Sequence, residues 1–206
     1  EQFLPLVEKM RLGASVGQWV LEAVFKQQMQ WRSMGLPSVP ISVNISSAQF
    51  DSQDLLGLIM ELGEKYHTGW EWLRLDIKEE AVLKDVNKAI RKLAALRDKG
   101  IASQLDNFGR GFVSLGFMTN LPFLGIKFDA AALPMDDDPK LSLAVLSVVR
   151  SVAMVMNAKL TITRVETEAN AQWMRTQGIE LLQGYAVGRP ADAVKAESWL
   201  KGLVKT

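Results

Sequence analysis

Residues 72–106 read WLRLDIKEEAVLKDVNKAIRKLAALRDKGIASQLD, and this stretch decides the fold. A short apolar run, Trp72 to Ile77, has the form of a strand and carries Asp76 at its C-terminal end. A segment of helical period follows from Val86 to Lys99 and stops at Gly100, a residue suited to the left-handed turn past a helix end. A second strand-like run, Ile101 to Leu105, then leads into Asp106. Strand, helix and strand within about 35 residues make a βα unit, and such units build parallel sheets.

Reading outward, the pattern repeats. Upstream, Ser15 is read as the cap of a helix from Val16 to Met34, with Val20, Val24 and Met29 facing inward. That helix stops at Gly35, Pro37 and Pro40 follow, and Val39 to Ile45 forms a strand. A helix from Gln53 to Tyr66 leads into the quoted stretch. Downstream come a strand from Phe123 to Phe128 behind Pro122, a helix from Lys140 to Asn157, a strand from Leu160 to Thr163, a helix from Glu168 to Gln177, a short strand from Ile179 to Leu182 and a last helix from Ala193 to Val204. About six strands alternating with helices fit either a (β/α) barrel or a doubly wound sheet. The barrel is favoured because Asn44, Asp76, Asp106, Lys127, Thr163 and Gln183 each fall at or just past the C-terminal end of a strand. In a parallel barrel those ends line one face, so residues distant in sequence meet in one cleft.

Composition removes several kinds of chemistry. The chain has 206 residues, 48% hydrophobic and 23% charged, which is a globular composition with length for one domain. Lys plus Arg number 24 against 23 Asp plus Glu, so no bulk charge draws it to duplex nucleic acid or an anionic membrane, and any anion site is local. There is no cysteine and a single histidine, His67, which excludes disulfides, Cys-ligated zinc, thiol nucleophiles and His-cluster metal sites. Oxygen ligands, Lys and Arg remain. Leu141 to Met156 is the most apolar stretch, but it carries Arg150 and is shorter than the roughly 20 apolar residues of a membrane span, so it is read as a packed helix. With charged residues interrupting the apolar start, a cytoplasmic protein is expected. The six tryptophans are read as packing residues.

Six short motifs follow one another along the chain: Val43-Asn44-Ile45-Ser46, Leu73-Arg74-Leu75-Asp76-Ile77-Lys78-Glu79, Leu105-Asp106-Asn107-Phe108-Gly109-Arg110-Gly111, Lys127-Phe128-Asp129, Val165-Glu166-Thr167 and Gln183-Gly184-Tyr185. In that order and spacing the chain resembles the EAL domain family of bacterial cyclic di-GMP phosphodiesterases and receptors, from Phe3 to Trp199. The resemblance implies a TIM-like (β/α) barrel and, in active members, two Mg²⁺ or Mn²⁺ ions that activate water against a phosphodiester. By the same resemblance Asn44, Asp76 and Asp106 stand at metal-ligand positions, and Lys127 and Glu166 at catalytic ones. Asn44, Asp106, Arg110, Arg164 and Gln183 stand where the nucleotide binds.

The departures from the family pattern bear on activity. Two adjacent divalent ions need several carboxylates to offset their charge. The Glu-Ala-Leu signature and its strand are absent, which reads as an N-terminally incomplete single domain, residues 1–206, from the C-terminal part of a longer signalling protein. Glu22-Ala23-Val24 and Glu80-Ala81-Val82 imitate the signature but lie in helical pattern. Asp76 replaces a Glu, Asn107 an Asp, and Thr163-Arg164 a Glu-Gly pair. The expectation is therefore a degenerate EAL domain without phosphodiesterase activity or bound metal, regulating cyclic di-GMP signalling as a receptor. Two alternatives stay open: a weak Mg²⁺-dependent phosphodiesterase, and a protein-interaction scaffold that no longer binds nucleotide. A protein partner or upstream signalling domain and a homodimer are implied partners, and the parent protein could be membrane-anchored through other domains. For Arg164 the sequence leaves two roles, holding phosphate, or pairing with Glu166 or Asp106 to fill the vacated metal space.

Overall fold

A computed structural model describes residues 13–52, 54–110, 115–134 and 138–203. In chain order the elements are α1 (Gly13–Ser33), β1 (Ile41–Ile45), α2 (Ser47–Ser52), α3 (Leu55–Lys65), β2 (Leu73–Lys78), α4 (Glu79–Leu83), α5 (Val86–Asp98), β3 (Ala102–Phe108), α6 (Leu115–Met118), β4 (Gly125–Asp129), a 3₁₀ turn (Ala130–Ala132), α7 (Pro139–Val155), β5 (Lys159–Thr163), α8 (Glu168–Thr176), β6 (Leu181–Leu182) and α9 (Ala193–Leu203). The six strands form one sheet in sequential order. The pairs β1–β2, β3–β4, β4–β5 and β5–β6 are all parallel. Sequential parallel strands with helical crossovers are the order of the expected (β/α) barrel and exclude the doubly wound alternative, in which the order reverses.

The chain divides into two compact units, and each has its own packing. The first takes in residues up to Ile77, Ala95–Ala102 and the chain from Ala191. There α1 packs on α2, α3 and β1, burying Leu21, Phe25, Gln28 and Trp31 at helical spacing. Phe25 meets Trp72 edge to face with ring centroids 5.0 Å apart, a geometry worth about 0.5–1.5 kcal/mol beyond burial. Strands β1 and β2 run in register, with Asn44 directly opposite Asp76.

The second unit comprises Lys78–Ala94 and Ser103–Pro190. Every residue of β4 is buried, as befits a strand covered on both faces. It pairs with β5 over five residues, placing Lys127 opposite Thr161 and Asp129 opposite Thr163. Helix α7 packs on β4 and β5 through Leu146, Val149, Val152 and Ala153. Its start is fixed by Pro139 and by Asp138, whose carboxylate accepts from the Lys140 and Leu141 N–H groups.

Several local expectations are corrected. Helix α1 begins at Gly13, so Ser15 lies inside it rather than capping it, and Met29 is exposed while Leu21, Phe25, Gln28 and Trp31 face inward. Strand β4 begins at Gly125 rather than Phe123, its register with β3 opening at Gly125 opposite Gln104. Strand β6 is two residues long. Helix α3 starts at Leu55 behind an Asp54 cap, while Gln53, where its start was expected, lies outside the described residues, as do Phe3, Gly111 and Val204. Trp31 and Trp72 are buried as expected, but Trp19 and Trp199 are 68% and 52% exposed. Glu22-Ala23-Val24 and Glu80-Ala81-Val82 lie in α1 and α4, so neither is a strand signature. Among the described residues no helix is long and apolar enough to cross a membrane.

Candidate functional site

The sequence-derived candidates fall into two groups. Asn44 and Asp76 belong to the first unit, where β1 and β2 place them side by side. Asn44 is exposed, whereas Asp76 is 3% exposed. All the others lie in the second unit: Asp106 and Lys127 sit two residues inside the ends of β3 and β4, a small correction to the strand-end expectation, while Arg110, Arg164, Glu166 and Gln183 follow the ends of β3, β5 and β6.

The second unit brings Arg110, Asp129 and Arg164 together. Asp129 is the last residue of β4 and is 6% exposed. Its Oδ1 accepts from the Ala131 N–H at 2.9 Å, capping the 3₁₀ turn and fixing the carboxylate plane. Its Oδ2 faces two guanidinium groups, Arg110 Nη2 at 2.9 Å and Arg164 Nη1 at 3.3 Å. Both arginine side chains are more than half exposed, so each keeps donors toward solvent. The expected partners of Arg164, Glu166 and Asp106, are replaced by Asp129, because the β4–β5 register sets the end of β5 beside the end of β4. Glu166 points to solvent and Asp106 is half-buried.

Backbone geometry marks the same region. Asn107 and Arg164 adopt φ of 56° and 58°, and Gly109 a φ of 92°. Asn enters the left-handed region readily, but a long side chain there costs roughly 1–2 kcal/mol and persists only where surrounding contacts impose it. For Arg164 the imposing contacts are the ion pair to Asp129 and the backbone of Val165, whose N–H bonds the Gln183 carbonyl.

Lys127, two residues before Asp129 on β4, is 7% exposed and donates from Nζ to Gln183 Oε1 at 3.2 Å. Gln183 follows β6, so this bond ties β4 to the loop beyond the last strand. Gly184 comes next with a φ of 153°, and a Cβ there would lie 2.3–2.7 Å from the Val165 backbone. Only glycine fits.

One residue without an assigned role proves central. Glu79, at the start of α4 and 2% exposed, accepts from the Gly109 and Arg110 N–H groups at 3.1 and 3.0 Å through a single carboxylate oxygen. It pins the loop that carries Arg110 and borders a cavity of about 200 Å³ lined by Lys78, Glu79, Glu80, Leu83, Asn107 and Arg110. The only sequence signal was its place at the end of the Asp76-Ile77-Lys78-Glu79 motif, which says nothing of a bond to residues 30 positions on. Among the described residues no group of three or more Asp, Glu or His is arranged to hold a metal ion.

With that geometry in view, comparison with known proteins is specific. Residues 1–190 match the EAL domain family. The bifunctional diguanylate cyclase/cyclic di-GMP phosphodiesterase MucR of Pseudomonas aeruginosa is 30% identical over 195 residues, covering 93% of this chain and 28% of that protein. The oxygen sensor protein DosP of Escherichia coli is 26% identical over 203 residues, covering 98% of this chain and 25% of that protein. The chain thus spans about a quarter of the length of these relatives. Among solved structures, the PaMucR phosphodiesterase in its c-di-GMP complex superposes with a TM-score of 0.87 at 29% identity, over 95% of this chain and 79% of that one. The sequential parallel sheet, the strand-end polar residues and these matches lead to one conclusion: this chain belongs to the EAL domain family, whose relatives act in bacterial cyclic di-GMP signalling, and it has that family's TIM-like (β/α) fold.

Proposed function

We propose that this domain is a regulatory module of cyclic di-GMP signalling that lacks phosphodiesterase activity and holds the nucleotide through Arg110 and Arg164 rather than through metal ions. The observation that carries the reading is the convergence of both guanidiniums on Asp129. A divalent pair needs carboxylates facing open space. Here the Asp129 carboxylate is already spanned by two cations, Thr163 hydrogen-bonds the Phe128 carbonyl instead of offering an acid, and Asn107 is neutral. These residues do not fit two metal ions. Guanidinium groups suit phosphate instead, since their fork matches its oxygens. In this reading Asp106 and Gln183 contact the rest of the nucleotide, and Lys127 and Glu166 keep family positions without the catalytic role.

Calorimetric titration with cyclic di-GMP in EDTA, then in Mg²⁺, tests the proposal. Binding that survives EDTA without turnover supports it, and turnover in Mg²⁺ overturns it. Arg164→Ala is expected to weaken metal-free binding by about 1.5–3 kcal/mol, the scale of a charge-assisted hydrogen bond. A second reading has its own support, since Asp129 already satisfies both arginines in the free protein: the trio is then a structural plug in a protein-interaction scaffold. No heat with cyclic di-GMP in any condition, together with a large fall in melting temperature for Arg164→Ala, selects that reading.

A further inference from the structure

Asp129 is buried and touches no nucleotide in the reading above, yet it sets the charge of the site. Two guanidiniums alone would present two positive charges, which suits a doubly charged phosphate. With Asp129 Oδ2 held 2.9 and 3.3 Å from them, the trio carries one net positive charge. The carboxylate cannot swing away, because its other oxygen is fixed by the Ala131 N–H and its side chain is buried. An incoming anion therefore approaches the exposed edges of Arg110 and Arg164 with a fixed negative charge behind them.

Charge arithmetic then separates two classes of phosphate. A phosphodiester carries one negative charge and neutralises the trio. A terminal phosphomonoester carries close to two above its second ionisation near pH 6, and its surplus charge meets Asp129 across the same two guanidiniums. Like charges a few ångströms apart in a half-buried site repel strongly enough to outweigh an added hydrogen bond. We propose that Asp129 is a specificity-determining residue that restricts the Arg110–Arg164 site to singly charged phosphodiesters and rejects phosphomonoester ends. The inference rests on the anion-binding reading proposed above and adds which phosphate that site takes.

Two ligands that differ by one hydrolysed bond make the test: cyclic di-GMP and its linear form, 5′-phosphoguanylyl-guanosine, which has exchanged a diester for a monoester end. Both are titrated at pH 8 in EDTA against the unaltered domain and Asp129→Asn. The variant keeps an oxygen for the Ala131 N–H, and Asp129→Ser, which also keeps one, repeats the test should the amide destabilise the fold. The unaltered domain is expected to prefer the cyclic form by about tenfold or more, and removing the charge to shrink that preference at least about fivefold by tightening the linear form. Binding of both ligands with a ratio unchanged in the variants overturns the role of Asp129 while leaving the two-arginine site standing. Failure of the unaltered domain to bind either ligand overturns the site itself, and this inference with it.

Discussion

At the scale of single residues, Glu79 and Gly184 carry the clearest consequences. Glu79 spends one buried carboxylate oxygen on two backbone N–H groups, and charge-assisted bonds of that kind are worth roughly 1.5–3 kcal/mol. Glu79→Gln retains an acceptor but loses the charge, so stability is expected to fall by about 1–2 kcal/mol, and nucleotide affinity with it because Arg110 loses its register. Denaturant melts and calorimetry on the same variant check both, and an unchanged affinity would separate Glu79 from the site. For Gly184→Ala the obstacle is the Val165 backbone, which cannot give way without breaking the β5–β6 edge, including the Gln183-to-Ile162 bond. A loss of about 3 kcal/mol or more is expected, readable as a lower denaturant midpoint. A variant as stable as the parent would show that the Val165 backbone yields to a methyl group.

Among elements, the joint between α1 and α3 is electrostatic at its rim. The Glu22 carboxylate of α1 accepts from Lys65 Nζ, the last residue of α3, and from the Tyr66 hydroxyl. The hydrogen bond from Lys65 is the main reason that Glu22 is held below the usual carboxylate value of 4.5, and the same bond is the main cause raising Lys65 above 10.5. Burial, first, and the bond to Glu22 push Tyr66 above 10.0. The signs fix the pH window. A depressed carboxyl stabilises the fold above its unfolded pKa and loses that contribution as pH falls through the folded value, while a raised amine loses its own as pH climbs through the folded value. Glu22→Gln is expected to lower the melting temperature by about 1–2 °C at neutral pH, a modest effect because the pair is largely exposed. The difference should hold across the neutral range and vanish in acid below the depressed Glu22 value. A deficit that persists unchanged at pH 2 would assign the effect to lost packing.

At the scale of the molecule, metal is a question of linkage. A ligand that binds the folded state raises the melting temperature by mass action. Millimolar Mn²⁺ is expected to leave the unaltered domain unmoved. Asn107→Asp, Thr163→Glu and Arg164→Gly together should let Mn²⁺ at about 100 times its Kd raise the melting temperature by roughly 5–10 °C. Each reversion alone should do little, since a metal site acts as a unit. A clear Mn²⁺ shift in the parent would contradict the two-arginine reading.

How far the chain announces itself differs between its fold and its site. The order of strands and helices was legible because periodicity and Gly or Pro punctuation are local: Gly100 closes one βα unit, although Asp76 and Asp106 lie two residues inside strands that run on to Lys78 and Phe108. Element ends were less legible. The start of β4 depends on where its register with β3 opens, at Gly125 opposite Gln104, and the inward face of α1 depends on which helices and strand cover it. Motif order pointed to the family, whose match covers residues 1–190. The charges of the site were also on the page of the sequence, as were the Thr163 and Asn107 replacements. Their partners were not. Arg164 finds Asp129 at 35 residues' distance through the β4–β5 register, Arg110 finds it from the end of β3, and Glu79 grips the loop at 109 and 110 from the start of α4. A sequence specifies which groups can bond and in which local element they sit, but direction in space comes only from packed neighbours. The tertiary structure alone therefore decided that two cations share one buried carboxylate.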